Sequence, residues 1–540
     1  MISLSDHAND SISSRGIEHF FSKYGIPTTK GKTGSKVNII YGKQKAKTKG
    51  FSIFVSRNEV GDSIKGWIET NGFRVPVFET PQETPGGKGT ATFRARNKRY
   101  ACVACGDDEV TIGFDAFREI GLILTGSMEK TWKGLTGNEK RRIAAIPVLD
   151  CYEKMLFDAI LYACKKTRTP LVRKDSWPDG KGFAVCLTHD VDEIRKSYQY
   201  ITKPIKLAKK RDLRGLAGQA SSFKQKMFGR EPYWTFEDLI ETEERLGVRS
   251  TLFFLKETAD VRLAQPKTWK HHGRRYDFRH DRVSGMIRRL QAGGWEVGLH
   301  GSYDSYNDLK KLEAEKRELE AVLGSRVKGN RQHNLRMDIP KTWLYHERIG
   351  LEYDTSLGLS DCIGFRWGTA SPFHPTNPAN SKSMNVLEIP LSVMDITLFS
   401  MKDSREELLK IQEEVERHSG VLTLLWHHTV FNDREHPGWS RLYEEAVGRA
   451  RERNAWIATA KDISEWWRAR EKSRVSYVFK NGMIKIKAVP KGRAHFLKIH
   501  VPFKSISRPA TTGCELVETN MEERTITVKT RGSSEISIGV

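Results

Sequence analysis

The chain has 540 residues, too many for one hydrophobic core, so two to four domains are expected. Its 38% apolar content excludes a disordered polymer. The 90 Lys plus Arg against 67 Asp plus Glu leave a formal charge of +23, thickest over residues 29–50 and 203–230. Such a surface attracts anions, but no nucleic-acid-binding motif accompanies it, so a solvated basic face is the plainer expectation. The opening MISLSDHANDSISSRG lacks the charged start and apolar core of a secretory signal. No run approaches the ~18 apolar residues of a membrane-spanning helix. Seven cysteines show no disulfide framework, and the CVAC at Cys102 and Cys105 has no second CxxC beside it. Free thiols and a cytoplasmic location are the expectation.

Residues 1–35 read as a helix over 14–24 and a Gly/Lys-rich linker. Residues 36–175 read as an N-terminal α/β domain, with strands at 37–41, 51–55, 100–102 and 109–112 and helices at 116–124 and 147–165. This domain gathers no catalytic residue types. A Pro/Gly-rich link at 170–182 leads into residues 176–472, where strand-like runs (184–188, 250–255, 295–300, 327–331, 351–354, 386–391, 421–426 and 456–459) alternate with helical ones. That alternation implies a parallel sheet, open or closed into a barrel. Asp190, Asp192, His300, Arg331 and His427 follow different strands, and side chains from many strand ends converge most naturally at the C-terminal face of a (β/α) barrel. Residues 473–540 change to short alternating runs, a small all-β, sandwich-like domain.

The stretch FAVCLTHDVD poses the chemical problem. Asp190 and Asp192 lie two residues apart at a strand end, so they point the same way and repel; they need a metal, a shared proton or an arginine. His189 points away from Asp190 in an extended chain, and by the same alternation His427 and His428 cannot both face inward.

Beside THDVD stand STLFF at 250–254, WEVGLHGSYDSYND around His300, KGNRQHNLR around Arg331, the Gly- and aromatic-rich GLEYDTSLGLSDCIGFRWGTASPF, and VLTLLWHHTVFND around His427. In this order they resemble the polysaccharide deacetylase family, of the NodB-homology or carbohydrate esterase family 4 type, over roughly residues 176–470. The resemblance implies a deformed (β/α) barrel, flanked here by the α/β and all-β domains, that removes acetyl groups from N-acetylated sugars with a divalent metal. It makes Asp190 the general base, Asp192 and His300 metal ligands, Arg331 the partner that orients Asp190, and His427 the general acid.

The family's second motif carries H-x-x-x-H, whereas here the second position is Asp304. Asp304 is either the third ligand, giving a harder Asp-His-Asp site for Zn, Mn, Fe or Co, or the cap of a helix beginning near Tyr306. Tyr303, His333 and Trp426 are the candidates for contacting substrate, with His333 and His428 otherwise packing or orienting groups. The long Gly/aromatic stretch has the composition of a substrate-lining loop. The expected partner is a carbohydrate, a phosphate-bearing one suiting the basic surface, and not nucleic acid; the oligomeric state is left open. Two other readings stand beside this one: hydrolysis of a different non-peptide amide on the same fold, and a carbohydrate-binding protein whose site is disabled at Asp304.

Overall fold

The computed structural model describes residues 2–6, 10–30, 35–43, 49–70, 72–84, 87–209, 211–261, 265, 268–492, 495–502, 514–530, 532 and 534–539; parts of both basic stretches lie outside them. At its centre is a parallel sheet ordered Leu387–Glu388, Tyr353–Asp354, Gly329–Gln332, Glu296–Gly301, Thr251–Leu255, Phe183–Val191, Val421–Leu425 and Val393–Met394, with Ala455–Ala458 also paired to Phe183–Val191. Phe183–Val191 is buried along its whole length, as expected of a parallel strand covered on both faces.

The two ends of this sheet are neighbours in sequence, which closes it. Residues 389–392 run from one end to the other: Ile389 N donates to Asp354 O (2.9 Å) and Leu391 N to Leu357 O (3.1 Å), while Ser392 N donates to Thr423 O (3.2 Å). The fold is therefore a deformed (β/α) barrel, with helices such as Phe236–Leu246, Asp281–Ala292, Leu309–Leu323, Ser404–Arg417 and Trp439–Glu452 between its strands.

The N-terminal unit is larger than the sequence suggested. Ile2–Asp6 and Thr28–Lys30, in the stretch expected to hold only a helix and a linker, pair in parallel with each other and extend a nine-stranded sheet through Val37–Gly42. Leu171–Lys174 also differs from its expected role as link. It pairs antiparallel with His495–His500, so the C-terminal sandwich (one sheet of four strands, one of three) borrows an edge strand from the far side of the barrel. Val172 is accordingly buried with Leu497, Ile499, Ile526, Val528, Ile484 and Ile538.

The Gly/aromatic stretch, expected to be a substrate-lining loop, packs against the N-terminal unit. Leu357, Cys362, Trp367 and Phe373 join the core of the N-terminal unit. Trp367 Nε1 donates to Glu129 Oε1 (2.8 Å), Trp132 Nε1 to Arg366 O (2.7 Å), and the buried Asp150 accepts from Lys23 Nζ (2.5 Å) and Ala370 N (2.7 Å). Arg470, fully buried, ties the parts together by donating to Asp175 O (2.6 Å), Ser22 O (3.1 Å) and Lys174 O (3.3 Å). Buried carbonyls that lose a charged donor each cost about 1–3 kcal/mol. Arg470→Met should therefore lower stability by roughly 3 kcal/mol or more, read as an earlier unfolding transition in denaturant; an unchanged transition would show that the three parts are held elsewhere.

Candidate active site

The site lies at the C-terminal ends of the barrel strands, and its register follows from strand pairing. His300 is opposite Leu255 on one side and Arg331 on the other, and Asp190 is opposite Phe253. Side chains at i and i+2 of an extended chain share a side. Hence Asp190 and Asp192 face one cavity, and Arg331 and His333 are directed at these carboxylates.

The structure gives each carboxylate its own partner. Arg331 is fully buried; Nη1 donates to Asp190 Oδ1 (3.3 Å), while Nε and Nη2 are fixed by Thr355 O and Oγ1 (both 3.1 Å). Asp192 lies with His300 and His333, the donor atoms of the three within 4.8 Å of one another. Its Oδ1 is 3.1 Å from His300 Nε2, and its Oδ2 is 3.6 Å from His333 Nε2 and 3.7 Å from Arg274 Nη2. Burial opposes ionisation of Asp192, yet His333, His300 and Arg274 around it hold its carboxyl well below the ordinary range.

The tautomers sharpen this. His300 Nδ1 lies 2.8 Å from Arg331 O, an acceptor only, so the proton sits on Nδ1. Its Nε2 then faces Asp192 Oδ1 at 3.1 Å and Asp190 Oδ2 at 3.5 Å. His333 Nε2 lies 2.7 Å from Arg274 Nη1, and its Nδ1 lies 3.3 Å from Glu257 Oε2. Burial would raise the Glu257 pKa, but hydrogen bonding from His333 and His271 brings it down to about 2. A carboxylate or carbonyl behind each imidazole, with the other nitrogen aimed at a shared point, is the arrangement that orients metal-binding histidines. The buried Asp192 Oδ1 has no hydrogen-bond partner. These residues fit a divalent cation.

Asp304 is outside this cluster. The i, i+4 argument required a helix, but His300 is on the strand Glu296–Gly301 and Asp304 lies in the turn beyond it. Its carboxylate is 42% exposed and 3.8 Å from Arg336 Nη1. Nor does it act as a cap: its side chain makes no capping bond to the short turn Ser305–Asn307, and the helix Leu309–Leu323 is capped by Asp308, which accepts from Lys310 N and Lys311 N (both 3.1 Å). The third side chain beside Asp192 and His300 is instead His333, expected as a substrate contact. It is presented by the tight turn His333–Leu335, in which Asn334 and Leu335 have φ of 57° and 53°, a costly conformation for leucine.

Across the cavity, His427 Nδ1 is 2.8 Å from Asp395 Oδ1, and its backbone N donates to Asp395 Oδ2 (2.7 Å). Burial disfavours the charged imidazole, but Asp395, reinforced by Asp192 and Asp190, raises its pKa to about 10. His428 does the opposite job. Its nitrogens lie against the carbonyls of Asp190 (3.2 Å) and Tyr233 (3.1 Å), and burial lowers its pKa to about 4. Asp190, Asp192, Arg274, His427, Tyr198 and Trp439 line the resulting cavity of about 390 Å³.

Of the proposed substrate contacts, Trp426 is fully buried and spends its indole N–H on Trp439 O (3.0 Å), so it is packing; Trp439 holds the place at the wall. Tyr303 sits between His271 (ring centroids 4.7 Å apart) and Arg336 (3.9 Å), behind His333. Glu257, Arg274 and Asp395 escaped the sequence reading. Glu257 had a signal, following the apolar run 250–255 by two residues; Asp395 follows a strand of only two residues.

No family model matches the chain, and no curated protein does. Among solved structures it is similar to a protein from Mycobacterium smegmatis assigned as a polysaccharide deacetylase (20% identity, 55% of this chain and 94% of that one, TM-score 0.37). It is also similar to the allantoinase Puue (15% identity, 54% and 92%, TM-score 0.36) and to the peptidoglycan deacetylase PdaC from Bacillus subtilis (12% identity, 55% and 96%, TM-score 0.27).

Because the His427 pKa is raised in the fold, its pair with Asp395 adds stability in full below about pH 6.5 and loses it as pH rises through about 10. In the metal-free protein the imidazole should titrate near the upper value by NMR, and Asp395→Asn should bring it down into the ordinary histidine range. An unshifted titration in that variant would show that Asp395 does not set the charge of His427.

Proposed function

We propose that this chain is a metal-dependent hydrolase of a non-peptide carbon–nitrogen bond that removes the acetyl group from an N-acetylated sugar. One observation carries the reading: Asp192, His300 and His333 bring one donor atom each within 4.8 Å of one another, with Asp190 Oδ2 3.5 Å from the same His300 nitrogen. Asp192, His300 and His333 would hold that cation. Two imidazoles and one carboxylate suit Zn, Mn, Fe or Co. When bound, it polarises the amide carbonyl and neutralises Asp192.

The remaining roles belong to the chain's own groups. Asp190, released from repulsion by Arg331, takes the proton from the attacking water, and Thr355 keeps Arg331 in place for it. His427 carries a proton through the neutral range and delivers it to the departing nitrogen. Arg274 supplies positive charge beside Asp192 and would have to give up its contact with His333 Nε2 for that nitrogen to hold the cation. Trp439 and Tyr198 offer walls against which a sugar ring can lie, and Lys203 and Lys206 at the rim favour a substrate with an anionic substituent.

Acetate release from N-acetylated amino sugars, assayed with Mn, Zn or Co beside ureides and formamides, distinguishes this activity from cleavage of another amide. Asp190→Asn should lower kcat by at least ~100-fold, with metal content unchanged; full activity in that variant would remove Asp190 as the base. Metal analysis separates the two proposed third ligands: His333→Ala should lose the stoichiometric metal that Asp304→Ala retains. The reverse result would restore Asp304, and an absence of metal in the unaltered protein would favour the non-catalytic reading.

A further inference from the structure

Residues 199–230, between the first barrel strand and the helix Phe236–Leu246, form a helical hairpin, Gln199–Lys209 and Leu213–Met227, where composition alone had indicated only a basic stretch. Its amphipathicity is inverted. Along the second helix, Leu213, Ala217, Ala220 and Met227 recur at helical spacing and all are exposed, while the opposite face buries Gln219 and Ser222. These polar groups meet Lys196: its Nζ donates to Gln219 Oε1 (2.7 Å) and Ser222 Oγ (3.1 Å) and pairs with Glu435 Oε1 (2.5 Å), deep in the protein. On the first helix Ile201, Ile205 and Ala208 face out, whereas Gln199, Lys203 and Lys206 turn toward the catalytic cavity and line it.

A hairpin that ended its interactions in water would bury its apolar stripe. Here six of the eleven exposed large apolar side chains among the described residues cluster on it: Ile201, Ile205, Leu213, Phe223, Met227 and Phe228, at 50–78% exposure. A seventh, Ile396, stands at the cavity's own rim. A concentration of that kind marks an interaction surface. Its charge identifies the partner: residues 199–230 carry nine Lys or Arg against the single acid Asp212. Two copies of so positive a face repel each other, whereas apolar residues interspersed with cations match the boundary between anionic head groups and acyl chains.

We propose that this hairpin seats the protein on an anionic lipid surface, with the catalytic cavity opening beside the contact so that a lipid-tethered amide is taken from that surface. The substrate class rests on the hydrolase reading; the docking does not. The helix Gln199–Lys209 serves both, with one face on the lipid and the other in the cavity.

Flotation of the full-length protein with vesicles of phosphatidylcholine alone, or of phosphatidylcholine with phosphatidylglycerol, tests the docking without any activity assay. Binding should require phosphatidylglycerol and weaken with salt. The combined variant Leu213→Ser, Met227→Ser, Phe228→Ser should reduce it at least about tenfold, and Lys209→Glu with Lys224→Glu should abolish the lipid preference. All five side chains are exposed, so thermal unfolding should be unchanged in both variants. Absence of flotation, flotation undiminished in the variants, or a solution dimer that the serine variant dissolves would each overturn the proposal. In the second arm, the serine variant should turn over a soluble N-acetylated amino sugar at the parent rate and a vesicle-borne, lipid-linked one about tenfold more slowly. Equal rates on both would remove the surface-delivery role. Flotation without turnover of either substrate would leave the docking standing and count against the hydrolase.

Discussion

Two carboxylates at one strand end cannot both be ionised and buried unless each is given a positive partner of its own. The barrel is built to supply them from different strands. Asp190 receives Arg331 from Gly329–Gln332, and Asp192 receives the histidine pair, one from Glu296–Gly301 and one from the turn after Arg331. Parallel pairing sets His300 beside Arg331, so these partners arrive at one level rather than staggered. The separate partnering of two carboxylates two residues apart is thus a property of strand order and register.

That dependence reaches outward through Arg331. Its guanidinium is held by Thr355, whose neighbour Ser356 is fixed by Asp354 Oδ1 (2.8 Å), and Leu357 N donates to Glu388 Oε1 (3.0 Å). Leu357 is already part of the core shared with the N-terminal unit. The Gly/aromatic stretch is therefore better understood as a clamp than as a lining. It transmits the rigidity of a nine-stranded sheet to the residues that aim Arg331, and this gives the N-terminal unit a physical connection to the site although none of its described residues contributes a side chain there.

What the sequence made legible was whatever depends on strand ends. The apolar runs closing in Asp190, His300, Arg331 and His427 marked positions that converge because parallel strands end at one face. Asp304 misled because a spacing of four was taken as helical where the chain is a strand followed by a turn. The residue that the structure brings beside Asp192 and His300 carried a readable signal, since His333 is two positions after Arg331 and extended backbone puts both on one side. Asp395 carried almost none. It follows a two-residue strand and opens a four-residue helix, too short for any periodicity to show. The hairpin was hidden for a different reason: polar residues face its protein side, so the usual rule that apolar means inward reads it backwards.

The inverted hairpin and the clamp together explain why the cavity opens where it does. Behind the site, Arg331, His428 and Asp395 are fully buried and fully partnered to backbone or side chains, which leaves no route for a substrate from that direction. On the remaining side the wall is the helix Gln199–Lys209, backed by the Lys196–Glu435 pair, with Lys203 also bonded to Glu435 Oε2 (2.8 Å). Glu435 is held near pKa 2: burial alone would raise it, and Lys203 and Lys196 outweigh that. One buried carboxylate thus anchors both the helix that faces the chemistry and the helix that carries the outward apolar stripe. A displacement of the hairpin by whatever it rests on would pull on Lys196 and Lys203 together, and through Lys203 on the rim of the cavity itself.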